Sequence, residues 1–334
     1  MTIKDLAAKT GYGVATVSRV LNNHPTVSEK ARRAILEAVE KSGFQINANA
    51  QQLKQLHSSS VLVVVKGTSN ELFAELVEAL QTCMTQAEYP LIVDYLDENA
   101  NEVLRAVQLC REKKPRGILF LGGNRQNFLE DFHKIDAPAV LITNDASGLP
   151  FDNLSSVSTD DRAGARCAME TLIDLGHREI AVIGGEIRVS DTSRLRYEGC
   201  REALAAKGVE FDEARDYRAV RFSYEGGYQA ARDLLESGRR FTALFAFSDV
   251  MAIGAIRALR DAGKRVPEDI SVVGFDGLPI GSYLVPQLTT IAQPVADMAE
   301  KGVQILLAAI EEGKQACYET VPFALYPRES TRSL

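Results

Sequence analysis

The sequence predicts an α/β protein: a three-helix helix-turn-helix headpiece followed by two doubly wound parallel-sheet units. Three observations predict it. The first fifty residues carry short helical patterns broken by glycine, apolar strand runs alternate with amphipathic stretches from Val61 onward, and that alternation occurs twice over. Helices covering both faces of a parallel sheet bury each strand completely, which is why a run such as "VLVVV" is continuous rather than alternating.

The headpiece comes first. Residues 3–9 place Ile3, Leu6 and Ala7 on one helical face, with Thr2 as the N-cap. Gly11 and Gly13 break the pattern, and "VATVSRVL" resumes it with Val14, Val17, Val20 and Leu21. A third helix starts at Ser28, turns Ala31, Ile35, Ala38 and Val39 inward, and stops at Gly43. Two short helices joined by a tight glycine-bearing turn, with a third behind them, describe a helix-turn-helix. The polar stretch "FQINANAQQLKQLHSSS" then reads as a linker with a helical tendency from Asn47 to Leu56, too short to be stable alone in water.

In the first α/β unit the strands are "VLVVV", "PLIVDYL", "GILFLGG" and "AVLIT", with helices expected at 71–87, 101–113 and 126–134. In the second they are "IAVIGG", "RAVRF", "ALFAFS" and "SVVGFD", with helices at 162–175, 194–207, 225–237 and 250–262. Gly122, Gly123, Gly184, Gly185, Ser248 and Asp276 close several of these strands. Open α/β sheets bind ligands beyond their carboxyl edges, so two units face to face would line a shared cleft.

Composition narrows the function. The 334 residues are 46% hydrophobic and 25% charged, ordinary for a globular chain of two or three domains. Net charge is −7, yet residues 1–57 hold eight basic against four acidic groups, so a +4 head sits on a −11 body. That asymmetry suits an end that meets phosphate. The five cysteines are odd in number, scattered and never in a CxxC pair, which fits reduced thiols rather than a disulfide frame or zinc site. Met1 leads into amphipathic sequence with no signal-peptide pattern, and the longest apolar runs are strand-length, so a cytoplasmic chain without a membrane partner is expected. GxGxxG, a P-loop lysine, GxSxG and HExxH are all missing, so no catalytic residue, metal or cofactor is expected. His177 reads as a turn residue and Asp160-Asp161 as a helix start.

The residues also carry a family likeness. "TIKDLAAKTGYGVATVSRVLNNHPTVSEKARRAILEAVEKSGF" resembles the headpiece of the LacI/GalR transcription regulators, and "NANAQQL" resembles their hinge helix. "LGHREIAVIGG", "SRLRYEGCREAL", "ALFAFSDVMAIGAIRAL", "VPEDISVVGFDGLPIG", "PQLTTIAQP" and "PRESTRSL" resemble successive parts of the core, and the headpiece and hinge wording is closest to the galactose-repressor branch. The resemblance implies a headpiece over 1–46, a hinge and linker over 47–60, and a two-lobed, periplasmic-binding-protein-like core over 61–334. Its N-lobe would span 61–158 with 292–320 and its C-lobe 159–291 with 321–334. It further implies a homodimer on a pseudopalindromic operator, acting as a repressor under a small sugar-like effector. A cytoplasmic sugar-binding protein without DNA function and a corepressor-dependent regulator are the alternatives.

By the same resemblance, Val14 and Ala15 are the base-facing pair of the recognition helix, offering methyl contacts. Arg19 is the side chain able to pair bidentately with guanine. Thr2, Thr16, Ser18, Asn22, Thr26 and Ser28 match phosphate-holding positions, which set register without reading sequence. Asn47 and Ala50 match the groove-facing side of the hinge, and Leu53 the wedge into the central base step. Val14 as core, Arg19 as a solvated charge and Leu53 as a surface leucine remain open readings. Tyr12-Gly13 stands where the family has Val-Ser, and Ile46 where it commonly has proline.

For the effector, the resemblance carries over Phe73 and Phe222 as aromatic walls, Arg196 as the arginine that bonds ligand hydroxyls, and Ser248, Asp276 and Gln293 as polar groups facing the cleft. Ordinary core packing for the two phenylalanines and an N-cap for Asp276 are the alternative readings. "NELF" and Thr143-Asn144 depart from the family wording.

Overall fold

The computed structural model describes residues 3–21, 27–42 and 60–334, and the chain divides into two compact units, 1–58 and 59–334. Thr2, Asn22, Thr26, Asn47, Ala50 and Leu53 lie outside the described residues.

In the headpiece, α1 (Ile3–Thr10), α2 (Val14–Leu21) and α3 (Glu29–Ser42) enclose a small core of Leu6, Ala7, Val17, Val20 and Ile35. Gly11 takes a left-handed φ of 69°, which reverses the chain after α1 at no steric cost. The carbonyl of Gly13 accepts the first amides of α2, from Thr16 at 2.9 Å and Val17 at 3.1 Å, so that helix starts without a side-chain cap. Ser28 precedes α3 and its hydroxyl accepts weakly from the Ala31 amide at 3.4 Å.

In the larger unit, one sheet has the order β11-β5-β4-β3-β1-β2 and the other β12-β10-β9-β8-β6-β7. Their strands are β1 (Val61–Lys66), β2 (Leu91–Leu96), β3 (Gly117–Leu121), β4 (Ala139–Ile142), β5 (Leu154–Thr159) and β11 (Tyr318–Val321), then β6 (Ile180–Gly184), β7 (Tyr217–Ala219), β8 (Ala243–Ala246), β9 (Ser271–Asp276), β10 (Thr289–Ala292) and β12 (Ala324–Tyr326). Every pairing is parallel except β10 with β12. Both sheets therefore repeat the same doubly wound order, with switch points at β1/β3 and β6/β8. Alternate residues of β1 serve different cores: Val61, Val63 and Val65 face one cluster, Leu62 and Val64 the other.

The chain crosses between the lobes three times, after β5, after β10 and between β11 and β12. Thr159 and Gln293 stand at the first two crossings, and the Thr159 hydroxyl donates to Gln293 Oε1 at 3.0 Å. Leu72 of one lobe shares an apolar cluster with Val250 and Leu278 of the other.

Close packing is most demanding where the helix Tyr224–Glu236 meets the helix Asp249–Asp261. A methyl on Gly254 would collide with the Tyr224 carbonyl oxygen, and one on Gly227 with that of Met251. Backbone cannot retreat as a side chain can. Gly254→Ala is therefore expected to cost about 1–3 kcal/mol, read as a lower urea midpoint for the core with an unchanged slope.

Candidate functional site

The carboxyl ends of both sheets converge on one cleft of about 390 Å³. Its first wall comes from the ends of β1, β3 and β4: Lys66 and Gly67, Gly122 and Gly123, Thr143 and Asn144. Its second comes from Gly185 and Glu186 after β6 and Ala219 to Phe222 after β7, with Asp276 of β9 and Gln293 at the crossing. Asn70, Asn124 and Ser190 also line it, and each caps the N-terminus of a following helix by accepting a backbone amide.

The paired glycines explain how two aromatics reach the cleft. Phe73 is half-buried with its ring against Gly122, where an added methyl would lie 2.9 Å from Phe73 Cζ. Phe222 stands likewise against Gly185, 2.7 Å from the position of an added methyl. One ring belongs to each lobe. Both also pack on their lobe's core, so they are walls and core residues at once.

At the floor, Arg196 is fully enclosed. Its Nε donates to Asp161 Oδ1 at 2.8 Å, its Nη2 pairs with the same oxygen at 2.8 Å, and its Nη1 donates to the Phe247 carbonyl. The guanidinium carbon sits 3.6 Å from the centroid of the Phe275 ring. Asp276 Oδ1 lies 3.8 Å from Nη1 and accepts from Gln293 Nε2 at 2.8 Å. Among the described residues Asp276 Oδ2, also buried, has no hydrogen-bond partner. Burial pushes the Asp276 carboxyl up to about 7, against the pull of Arg196 and of the Gln293 and Asn70 side-chain donors, while Asp161 raises it further. Below it, Asp249 accepts from Thr290 Oγ1 at 2.6 Å and the Leu278 amide at 2.7 Å, and burial followed by the Asp276 charge drives it well above the usual carboxylate range.

Asp276 ends β9 with φ 116°, so it is not an N-cap. Ser248 requires a correction: it does not face the cleft. It is fully buried and its hydroxyl accepts the Met251 amide as the cap of the helix Asp249–Asp261. His177 is buried between Thr242 and Ser271, and Asp160 caps its helix by accepting the Ala163 amide. Among the described residues no cluster of three or more His, Cys, Asp or Glu could hold a metal ion, and no helix is long and apolar enough to cross a membrane.

Several groups lie here that sequence reasoning missed. Arg221 reaches from one lobe to Asp97 and, at 2.9 Å, Glu98 of the other. Tyr224 donates to Glu71 at 2.5 Å and Asn144 Nδ2 to Thr192 Oγ1 at 3.1 Å, also across the lobes. Their signal was a place just after a strand, which the carboxyl-edge rule could have used. In the headpiece, Val14 is 44% exposed rather than core, Ala15 and Arg19 are exposed, Thr16 and Ser18 are half-buried, and Ser28 is exposed.

Residues 2–47 match the family of bacterial regulatory proteins, lacI family, and residues 169–331 the periplasmic binding protein-like domain. The transcriptional regulator MalR of Clostridium butyricum is 34% identical, with 99% of each chain covered. A complex of the transcriptional regulator CelR with cellobiose superposes with a TM-score of 0.73 at 29% identity, and the lac repressor dimer bound to operator and the anti-inducer ONPF with 0.73 at 27%, each covering 99% of both chains.

Removing Arg196 would strand Asp161 and Asp276 in the floor. Arg196→Met is expected to cost about 3–5 kcal/mol, because an uncompensated buried charge remains. Both carboxyls are raised in the fold, so the folded chain keeps their protons to higher pH than the unfolded one; the resulting stabilisation is complete below about pH 4, and the share from Asp276 is lost as pH rises through about 7. Urea titrations should therefore show a smaller penalty for the variant at pH 5 than at pH 8.

Proposed function

The chain belongs to the lacI family of bacterial regulatory proteins, and on that footing we propose that it is a transcriptional repressor whose operator affinity is switched by a small sugar-like molecule bound between the lobes of its core. It acts as a cytoplasmic homodimer on a pseudopalindromic operator, as a binding switch rather than an enzyme. One observation carries the effector half of this reading. A buried carboxylate oxygen, Asp276 Oδ2, finds no donor among the described residues at the bottom of a cleft whose walls come from two lobes. Buried polar atoms are almost always paired, so this one calls for a ligand hydroxyl or amine.

A molecule held by both walls binds only one lobe angle well, and that differential affinity is what shifts the equilibrium. Phe73 and Phe222 supply opposed apolar faces to a ring, while Arg196, Asn70, Asn124 and Gln293 offer the mixed donors and acceptors that hydroxyls require. In a dimer, a change of lobe angle alters the spacing of the two headpieces and so their fit to two half-sites. Reversing occupancy from 99:1 to 1:99 requires about 10⁴-fold preference, about 5.5 kcal/mol.

On the DNA side, the exposed start of α2 supports Val14 and Ala15 as methyl contacts to base edges and Arg19 as the guanine reader. Thr2, Thr16, Ser18, Asn22, Thr26 and Ser28 hold phosphates, and Asn47, Ala50 and Leu53 act in the minor groove. Electrophoretic shift with genomic fragments at low salt tests the whole reading, and failure to retard any fragment removes it. With the operator in hand, Arg19→Ala should cost about 1–3 kcal/mol at one base pair and relax its specificity.

The effector half has its own signature. A donor to Oδ2 favours the ionised carboxylate, so binding releases a proton and affinity should rise as pH passes upward through about 7. Calorimetry of the bound effector between pH 6 and 8 should show that slope, and Asp276→Asn should both flatten it and weaken binding.

A further inference from the structure

Each cation that lines the cleft is already matched by the protein's own carboxylates. Lys66 Nζ pairs with the fully buried Glu102 at 2.6 Å and donates to the Ala100 carbonyl. Arg196 is held by Asp161 and faces Asp276. Arg221, at the mouth, is bracketed by Asp97 and Glu98. With Glu186 on the wall, three cations stand against six carboxylates, and the surplus survives protonation of Asp276.

Six backbone donors at the strand ends and helix starts are taken as well. Strand-end glycines and helix N-termini would ordinarily cradle a phosphate. Here the Gly123 amide donates to Asn144 Oδ1 at 3.1 Å, the Gly185 amide to Ser193 Oγ at 3.1 Å, and the Asn124 amide to Glu102 Oε1 at 2.6 Å. The helix-start amides of Leu72, Gln126 and Ser193 are taken by Asn70, Asn124 and Ser190. Among the described residues the buried side-chain atom left unmatched is an acceptor, Asp276 Oδ2.

We propose that the cleft discriminates by charge: its effector is a neutral or amino-bearing polyol that presents a donor to Asp276, and phosphorylated or carboxylated analogues are refused. This rests on reading the cleft as the effector site. An incoming phosphate would meet a surplus of carboxylates with every lining cation already paired, and would lose its hydration without a counter-charge to replace it. Glu102 and the Asp97/Glu98 pair are the specificity determinants, because they consume Lys66, the Asn124 amide and Arg221.

The test uses the full-length protein in thermal-shift and calorimetric titrations. The ligands are matched sets, each a free sugar with its phosphate, its acid and its amino derivative, plus inorganic phosphate against chloride at equal ionic strength. On the wild type, inorganic phosphate should move the melting temperature no more than chloride does, and the neutral or amino member of a binding set should bind at least tenfold tighter than the phosphate or acid. Glu102→Gln should narrow that gap. Because Glu102 is buried, the rim variant Asp97→Asn/Glu98→Gln supplies an independent arm and should gain stabilisation by phosphate. A phosphate or acid that equals its neutral parent on the wild type, or inorganic phosphate that raises the wild-type melting temperature, overturns the proposal. Stabilisation by no sugar at all counts against the polyol reading, while the inorganic phosphate arm still decides the charge rule.

Discussion

One buried guanidinium organises the larger unit. Arg196 ties together the start of the helix Asp161–Asp174 through Asp161, the end of β8 through the Phe247 carbonyl, and β9 through Phe275 beneath it and Asp276 beside it. Two buried aspartates, 161 and 276, flank this single cation and a third, Asp249, lies buried beside Asp276, an arrangement that burial alone would forbid. It persists because hydrogen bonds from Thr290, Leu278 and Gln293 satisfy the remaining oxygens, all but one. The unmet oxygen is thus a consequence of how the floor is built. The same carboxylate leans on Gln293, which accepts from Thr159, so the polar chain that begins in the cleft ends at two of the three lobe crossings.

The sequence made this architecture readable where burial was two-sided and apolar. β1, β3, β6, β8 and β9 are continuous hydrophobic runs because both faces are covered. β5 escaped that reading. Its "LSSVST" is polar in four of six positions, yet all six are buried. The hydroxyls are matched locally: Ser156 accepts the Ala146 amide, Ser155 the Cys317 amide, and Thr159 meets Gln293. Short hydroxyl side chains can thus line a buried strand, but only when partners arrive from distant sequence, which a local pattern does not reveal. β10, "TTIA", was hidden in the same way.

At the cleft, the residues with a motif around them were legible and those without one were not. Arg196 sits in "SRLRYEG" and Asp276 ends an unmistakable strand. Lys66, Glu98, Asn144 and Arg221 are ordinary surface-type residues in sequence, and only the parallel order of the sheets brings them to one edge. Ser248 shows the converse error. A polar residue closing a strand can turn toward the helix it precedes rather than toward the ligand, and the orphan amides of that helix decide which.

The balance of contacts across the mouth bears on how such a unit can switch. Among the described residues the lobes share a modest apolar patch around Leu72, Val250 and Leu278, the buried Thr159–Gln293 bond, and polar bridges at the mouth from Arg221, Tyr224 and Asn144. Arg221 and Asp97 are each about half exposed, with side-chain exposures of 53%. Exposed ion pairs contribute only about 0–1 kcal/mol, because solvent screens the charges and two long side chains must be held in place. Contacts this weak cannot fix the lobe angle by themselves. A ligand held by both walls of the cleft adds energy to one lobe angle and none to the other. Differential affinity of that kind is the only sort that moves an equilibrium. It places the control of the angle with the occupant of the cleft rather than with the rim contacts.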